Sequence, residues 1–156
     1  MADPQQVVVF ELSGETYALE ILHVHEIIRL QPVTPVPGAP DYVQGLINLR
    51  GRVVPIVDLR RRFALRAGEV GDKSRIIVVQ VSDDIVGVVV DAVSEVMTVS
   101  ADVVEPAAQV VSGLDAEYIR TIAKVSGRLV AVLNPDKLID EAVPEEEEVL
   151  MLGPGE

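Results

Sequence analysis

His23 and His25, two residues apart, are the first side chains in this sequence whose types suggest chemistry: on a strand they share a face, and on a helix they spread apart. Two imidazoles without a third ligand are a weak basis for a zinc site. The chain has no cysteine to complete one, which also removes disulfides and thiolate nucleophiles. Glu26 and Glu95 offer a carboxylate pair of the kind used in acid–base catalysis. They fall, however, at matching places in an internal repeat, so duplication accounts for both. Neither the G-x-x-x-x-G-K-S/T nor the G-x-G-x-x-G phosphate loop occurs. The expectation is a protein that is not an enzyme, with no metal and no cofactor.

One further residue stands out by its surroundings. Gly45 to Leu59 holds two aliphatic, β-branched runs, Leu46 to Leu49 and Val53 to Leu59, flanking Arg50-Gly51-Arg52. Such runs around a glycine-containing break read as strands joined by a tight hairpin, with Arg50 at the turn. A solvated turn arginine is the ordinary reading; a binding role is the other.

The elements that position these residues follow in chain order. Val7 to Leu12 and Thr16 to Leu19 read as a hairpin about Ser13-Gly14-Glu15. Ile21, Val24 and Ile27/Ile28 recur at spacings of three and four, an amphipathic helical turn with strand as the alternative near Glu26. Four prolines and Gly38 between Gln31 and Pro40 make an extended connector and exclude helix. Asp58 caps a short basic helix, Arg60 to Leu65, whose three arginines read as a solvated face, before a polar loop from Arg66 to Ser74. Ile76 to Val81 and Ile85 to Val90 form another hairpin. Ser126-Gly127 turns a last one, and Asn134-Pro135 opens a helix over Asp136 to Glu141.

The chain repeats itself. Leu12 to Ile27 aligns without a gap on Val81 to Val96, an offset of 69 residues, and Gly51 to Asp58 aligns on Gly127 to Asn134, an offset of 76. Each half, about 7–65 and 76–141, reads as hairpin, amphipathic turn, hairpin, helix. Short strands in a half of that size suggest a small five-stranded barrel of SH3-like or OB-like type, since closure removes sheet edges. Two of them give an all-β double barrel with short helices. Arg50 matches Ser126, so the barrel itself does not require the arginine, and a role specific to the first half gains weight.

Composition sets further limits. The chain has 156 residues and is 49% hydrophobic, but only five residues are aromatic, so Val, Ile, Leu and Ala must build the core. A net charge of −12 argues against nucleic-acid backbone binding, which draws its affinity from Lys and Arg. No apolar run approaches the roughly 20 residues that span a bilayer, and the N-terminus lacks a secretory pattern. Residues 144–156, with Glu145 to Glu148, read as an acidic, disordered tail.

Gly45-Leu46-Ile47-Asn48-Leu49-Arg50-Gly51, followed by Val54-Pro55-Ile56-Val57-Asp58-Leu59, resembles the signature of the CheW family of bacterial chemotaxis coupling proteins. Tyr17 to Ile27, Val33 to Pro37 and Val86 to Val93 resemble the family in the same order, so the likeness spans roughly Val7 to Ile139 within a domain of 7–143. It implies an adaptor without catalytic activity, built of two five-stranded barrels around a shared hydrophobic interface, in which strands can cross between barrels. The implied partners are the regulatory domain of the histidine kinase CheA and the cytoplasmic tip of methyl-accepting chemoreceptors. The implied place is the cytoplasm, with recruitment to membrane receptor arrays and no membrane insertion.

Carried over by position, Val8, Ile21, Val24 and Ile27 line an apolar groove for the receptor tip, a helix laid in a groove. Glu26 and Arg50 form an ion pair near this surface, Val33 and Gly45 lie on the kinase-facing side, and Asn48 and Gly51 belong to the motif. The tail and its Val149-Leu150-Met151-Leu152 sequel lie outside the family pattern. Two other readings compete: a CheW-like scaffold of a pilus-motility or second-messenger pathway, and an oligonucleotide- or oligosaccharide-binding barrel, which would need aromatic platforms and a basic groove. Because the repeat lacks a second Arg50, Arg50→Ala is expected to impair assembly of a signalling complex far more than Arg128→Ala at comparable thermal stability; equal effects in a pull-down would return Arg50 to a structural turn.

Overall fold

The structure, a computed structural model, describes residues 5–63, 65, 71–99, 104–106, 118–125 and 127–138. The expectations for Ser126, for most of the loop from Arg66, for the end of the last helix and for the acidic tail fall outside these residues. Eleven strands are described: β1 (Gln5–Leu12), β2 (Glu15–Glu20), β3 (Val24–Arg29), β4 (Val43–Leu49), β5 (Arg52–Asp58), β6 (Arg75–Val81), β7 (Asp84–Val90), β8 (Ala92–Val99), β9 (Val104–Pro106), β10 (Ile119–Val125) and β11 (Arg128–Leu133). A single helical turn, α1 (Leu59–Arg62), and two 3₁₀ turns, Ile21–His23 and Pro135–Lys137, complete the elements.

The strands form two sheets that do not follow the halves of the sequence. One sheet has the order β8-β1-β2-β11-β10-β9, and the other has the order β3-β6-β7-β5-β4. Each half therefore lends its opening hairpin to the sheet built by the other half. The repeat survives this exchange: each sheet has one parallel pair, β2 with β11 and β5 with β7, at matching places in the order. Strand β9, which the sequence did not suggest, pairs with β10 where the isolated Thr34–Leu46 bridge pairs with β4.

Burial explains why β1, β6 and β7 read as nearly continuous apolar runs. In β1, Val8, Phe10 and Leu12 enter a cluster shared by both sheets, while Val7 and Val9 enter a cluster belonging to their own sheet. In β6, Ile77, Val79 and Val81 enter the shared cluster, while Ile76 and Val78 enter the interior of the second sheet. A strand covered on both faces loses polar alternation. All five aromatic residues gather in the shared layer, where Phe10, Tyr17, Phe63 and Tyr118 follow one another at centroid distances of 6.2, 6.2 and 4.9 Å and Tyr42 packs at the margin.

Three local expectations are corrected, and a fourth is described only in part. The strand after the first hairpin begins at Val24, two residues before Glu26, because pairing with β6 outweighs helical spacing, and only Ile21–His23 turns. In the second copy a bend at Asp91 leads straight into β8, which pairs with β1 from Ala92 onward. Asp58 does cap a helix, its carboxylate accepting from the Arg60 amide at 3.0 Å, but that helix ends at Arg62. The last helix is described only as the 3₁₀ turn Pro135–Lys137, with Asn134 as its cap.

The reading of Arg60, Arg61 and Arg62 as a solvated face holds for Arg61 alone. Arg60 is only 7% exposed; its guanidinium lies 3.9 Å from Asp58 and 3.5 Å from Asp91. Arg62 stacks over the rings of Tyr42 and Tyr118 and donates to the carbonyls of Leu138 and Lys137, which ties α1 to the far end of the chain.

Gly87 shows how tightly the second sheet closes on its interior. A Cβ there would lie 2.6 Å from Ile56 Cδ1 and 2.8 Å from Ile76 Cγ2. The equivalent place in the first sheet holds Ala18, also fully buried and also beside the parallel partner strand. Gly87→Ala is expected to cost about 1–3 kcal/mol in urea denaturation through overpacking. Gly71→Ala, where a methyl meets nothing, is expected to change stability by no more than about 0.5 kcal/mol.

Candidate functional site

The most exposed large apolar residues of the first half stand where the two sheets meet. The 3₁₀ turn Ile21–His23 touches β1 of one sheet and β6 of the other, so it sits on the seam between them. Ile21 is 38% exposed, Leu22 73% and Ile27 of β3 40%. Val24 is half-buried and packs on the shared cluster. Val8 lies beneath in that cluster at 1% exposure, so it supports the seam from below and offers almost no surface of its own.

Arg50 and Glu26 meet beside this seam, the guanidinium Nη2 donating to the Glu26 carboxylate. Positive φ at both Arg50 (53°) and Gly51 (87°) makes the two-residue turn that hairpins favour. Asn48 Oδ1 accepts from the Gly51 amide at 2.7 Å and locks the turn, so these two motif residues hold Arg50 in place. Glu26 belongs to β3 and Arg50 to the tip of the β4–β5 hairpin, and β3 and β4 are the opposite edges of the five-stranded sheet. The pair thus spans the gap where the sheet curls toward closure. With the Arg50 side chain 69% exposed, the pair is a surface one, whose loss costs no more than about 1 kcal/mol.

At the other end of the turn, Arg120 Nη1 of β10 donates to Glu20 Oε1 at 2.7 Å and lies 3.3 Å from His23 Nε2. The always-protonated arginine makes that imidazole nitrogen the acceptor. His23 therefore braces the turn, while His25 is exposed on β3. No group of three or more potential metal ligands occurs among the described residues.

Gly45 and Val33 come together for a steric reason. The Thr34 amide donates to the Leu46 carbonyl at 2.9 Å, and the Leu46 amide to the Thr34 carbonyl at 2.8 Å, docking the proline-rich connector on β4. Gly45 has φ +148°, and a Cβ there would lie 2.1 Å from the Thr34 carbonyl oxygen and 2.8 Å from Val33 Cγ1. Only glycine permits this approach.

The equivalent turn on the other side is closed at Val90 and Asp91, although Val96, the counterpart of Ile27, is 52% exposed. Leu22 corresponds to Asp91, whose amide donates to the Glu11 carbonyl at 2.9 Å and whose carboxylate accepts from the Ser13 amide at 2.7 Å, with the buried Arg60 beside it. One turn is open and apolar, and its twin is held down by polar bonds at Asp91. Sequence reasoning passed over Leu22, Glu20 and Arg120, because helical spacing left Leu22 on the polar side. The mismatch of Leu22 with Asp91 in the repeat was the available signal.

A double sheet that leaves one such turn open and apolar and bonds its twin down, with no catalytic cluster assembled among the described residues at the open turn, has the form of a scaffold. Residues 6–143 match the family model of the CheW-like domain. The chain is 37% identical over 137 residues to the chemotaxis protein CheW of Treponema pallidum, covering 85% of this chain and 81% of that protein. It is 36% identical over 143 residues to the chemotaxis protein CheW of Rhizobium meliloti, covering 92% and 90%. The crystal structure of the scaffolding protein TtCheW from Thermoanaerobacter tengcongensis superposes with a TM-score of 0.84 at 33% identity, over 88% of this chain and 94% of that one. The chain belongs to the CheW-like family, and with it to the scaffolding adaptors of chemotaxis signalling.

The contact at Gly45 gives a direct check. Gly45→Ala is expected to lower stability by about 2 kcal/mol or more and to abolish hydrogen-exchange protection of the Thr34 and Leu46 amides, because the methyl cannot share space with the Thr34 carbonyl. Retained protection at those two amides would contradict the docking.

Proposed function

We propose that this chain couples methyl-accepting chemoreceptors to the histidine kinase CheA, with the cytoplasmic tip of the receptor laid on the open seam and the CheA regulatory domain on the side of Val33 and Gly45. It works in the cytoplasm and reaches membrane receptor arrays through these partners. The observation that carries the reading is the asymmetry of the repeat at its turn: Ile21 and Leu22 are exposed, while their counterparts are the buried Val90 and the hydrogen-bonded Asp91. A helix needs an apolar strip of a few residues at its own spacing, and residues from a 3₁₀ turn and an adjoining strand offer one.

Arg50 is placed to meet a polar rim of the partner beside that strip, since its guanidinium is mostly exposed while bonded to Glu26. An oligonucleotide reading finds less support, because every aromatic ring packs in or against the shared layer and none forms an exposed platform. Among the described residues no helix is long and apolar enough to cross a membrane.

Calorimetric titration with a receptor-tip hairpin and with an isolated CheA regulatory domain tests the proposal. The unaltered protein is expected to bind both. Ile21→Ser with Leu22→Ser is expected to weaken receptor binding about 10- to 200-fold, on the order of 1.5–3 kcal/mol, while kinase binding stays within twofold. Absence of binding to either partner by the folded protein would refute the proposal.

A further inference from the structure

Along β3, two residues beyond Ile27, the structure carries a charge arrangement that the fold does not need. Arg29 stands directly opposite Arg75 of β6. Like charges opposite one another on neighbouring strands destabilise a sheet. Arg75 directs its Nη1 to the backbone carbonyls of Asp72 and Ser74, and neither Arg29, Arg75 nor the exposed Lys73 has a carboxylate partner among the described residues. The repeat shows that these cations are dispensable to the architecture. At the same places in the other sheet, Thr98 stands opposite Gln6.

Strand alternation puts Arg29 and Arg75 on the same face as Ile27 and Ile77, so the cations continue the apolar seam. The surface therefore runs from apolar, at Leu22, Ile21 and Ile27, to cationic, at Arg29 and Arg75, with the exposed Lys73 in the turn just before Arg75. This occurs in a chain of net charge −12.

A complementary segment exists within the chain. Glu145-Glu146-Glu147-Glu148 is followed directly by Val149-Leu150-Met151-Leu152, an acidic run joined to an apolar one. Beyond Leu138 lie seven of the chain's 25 acidic residues and none of its 13 lysines and arginines. We infer that Glu145 to Leu152 docks on this surface, its carboxylates against Arg29, Arg75 and Lys73 and its apolar residues over Ile27, Ile21 and Leu22, so that the chain competes with the receptor tip for its own seam. The inference rests on the reading of the seam given above.

Reach does not forbid it. Leu138 is anchored by Arg62, and the seven residues from there to Glu145 span up to about 23 Å. The Pro135–Lys137 turn packs on β6, the strand that begins with Arg75, so the segment sets out from the same sheet. A tethered segment acts at an effective concentration on the order of millimolar, so even a weak contact lowers the apparent affinity of a partner. The ionic part fades with salt.

The test uses the full chain in two forms, the natural sequence and one with Glu145→Gln, Glu146→Gln, Glu147→Gln and Glu148→Gln together. At low salt the amide resonances of Ile21 to Arg29 and of Arg75 are expected to differ between them, and the difference is expected to vanish at 0.5 M NaCl and in an Arg29→Gln background. The receptor-tip hairpin is expected to bind the neutralised tail form about 2- to 10-fold more tightly. Identical resonances in both forms would overturn the inference. So would a loss of hairpin binding in Arg29→Gln with no effect of the tail, which would assign the cations to the partner. If the hairpin binds neither form, the proposed function fails, and the resonances still decide the fate of the tail.

Discussion

Burial on both faces of the central strands is the constraint on which the rest of this molecule depends. Strands β1 and β6 each send alternate side chains into the shared layer and into their own sheet. Neither sheet could stand alone without exposing the layer that holds all five aromatic residues. Exchange of the opening hairpins follows the same logic, because each sheet contains strands from both halves and separation would break the β2–β11 and β5–β7 pairings as well as the apolar contact. The seam between the sheets is consequently a rigid feature.

Duplication gives two such seams, and they diverge at the turn that follows each opening hairpin. On one side Asp91 binds the first hairpin through its backbone and carboxylate, and Arg60 is buried beside it. On the other side Leu22 occupies the equivalent place, the chain turns outward, and Glu20, His23 and Arg120 hold the turn from its polar end. The exchange of an acidic residue for an apolar one thus separates a turn bonded to the first hairpin from an exposed one. The Glu26–Arg50 pair shows the same economy. It bridges the edges of a curled sheet, yet is exposed enough to contribute little to stability and much to the character of the surface.

Several residues noticed for chemistry are better understood through backbone geometry. Gly45 makes room for the connector, Gly51 supplies positive φ, and Asn48 caps the turn. His23 accepts a hydrogen bond from Arg120 and completes no ligand set among the described residues. These roles are structural: Gly51 and Asn48 fix the position of Arg50, His23 braces the apolar turn, and Gly45 seats the connector.

The sequence by itself determined what is local or periodic. The hairpin turns, the proline connector, the Asp58 and Asn134 caps and the internal repeat depend on residues close in the chain, so they are legible from turn chemistry and alternation. The identity of the Gly45–Leu59 signature was legible for the same reason. Only the tertiary structure decided which hairpin joins which sheet, because that choice depends on pairing across many tens of residues. It decided that Arg60 is buried while Arg61 is solvated, since the difference lies in Asp91, 31 positions away in the chain. It decided too that Val8 underlies the seam while Leu22 crowns it. Exposure is a property of what packs above a residue, and no local spacing records that.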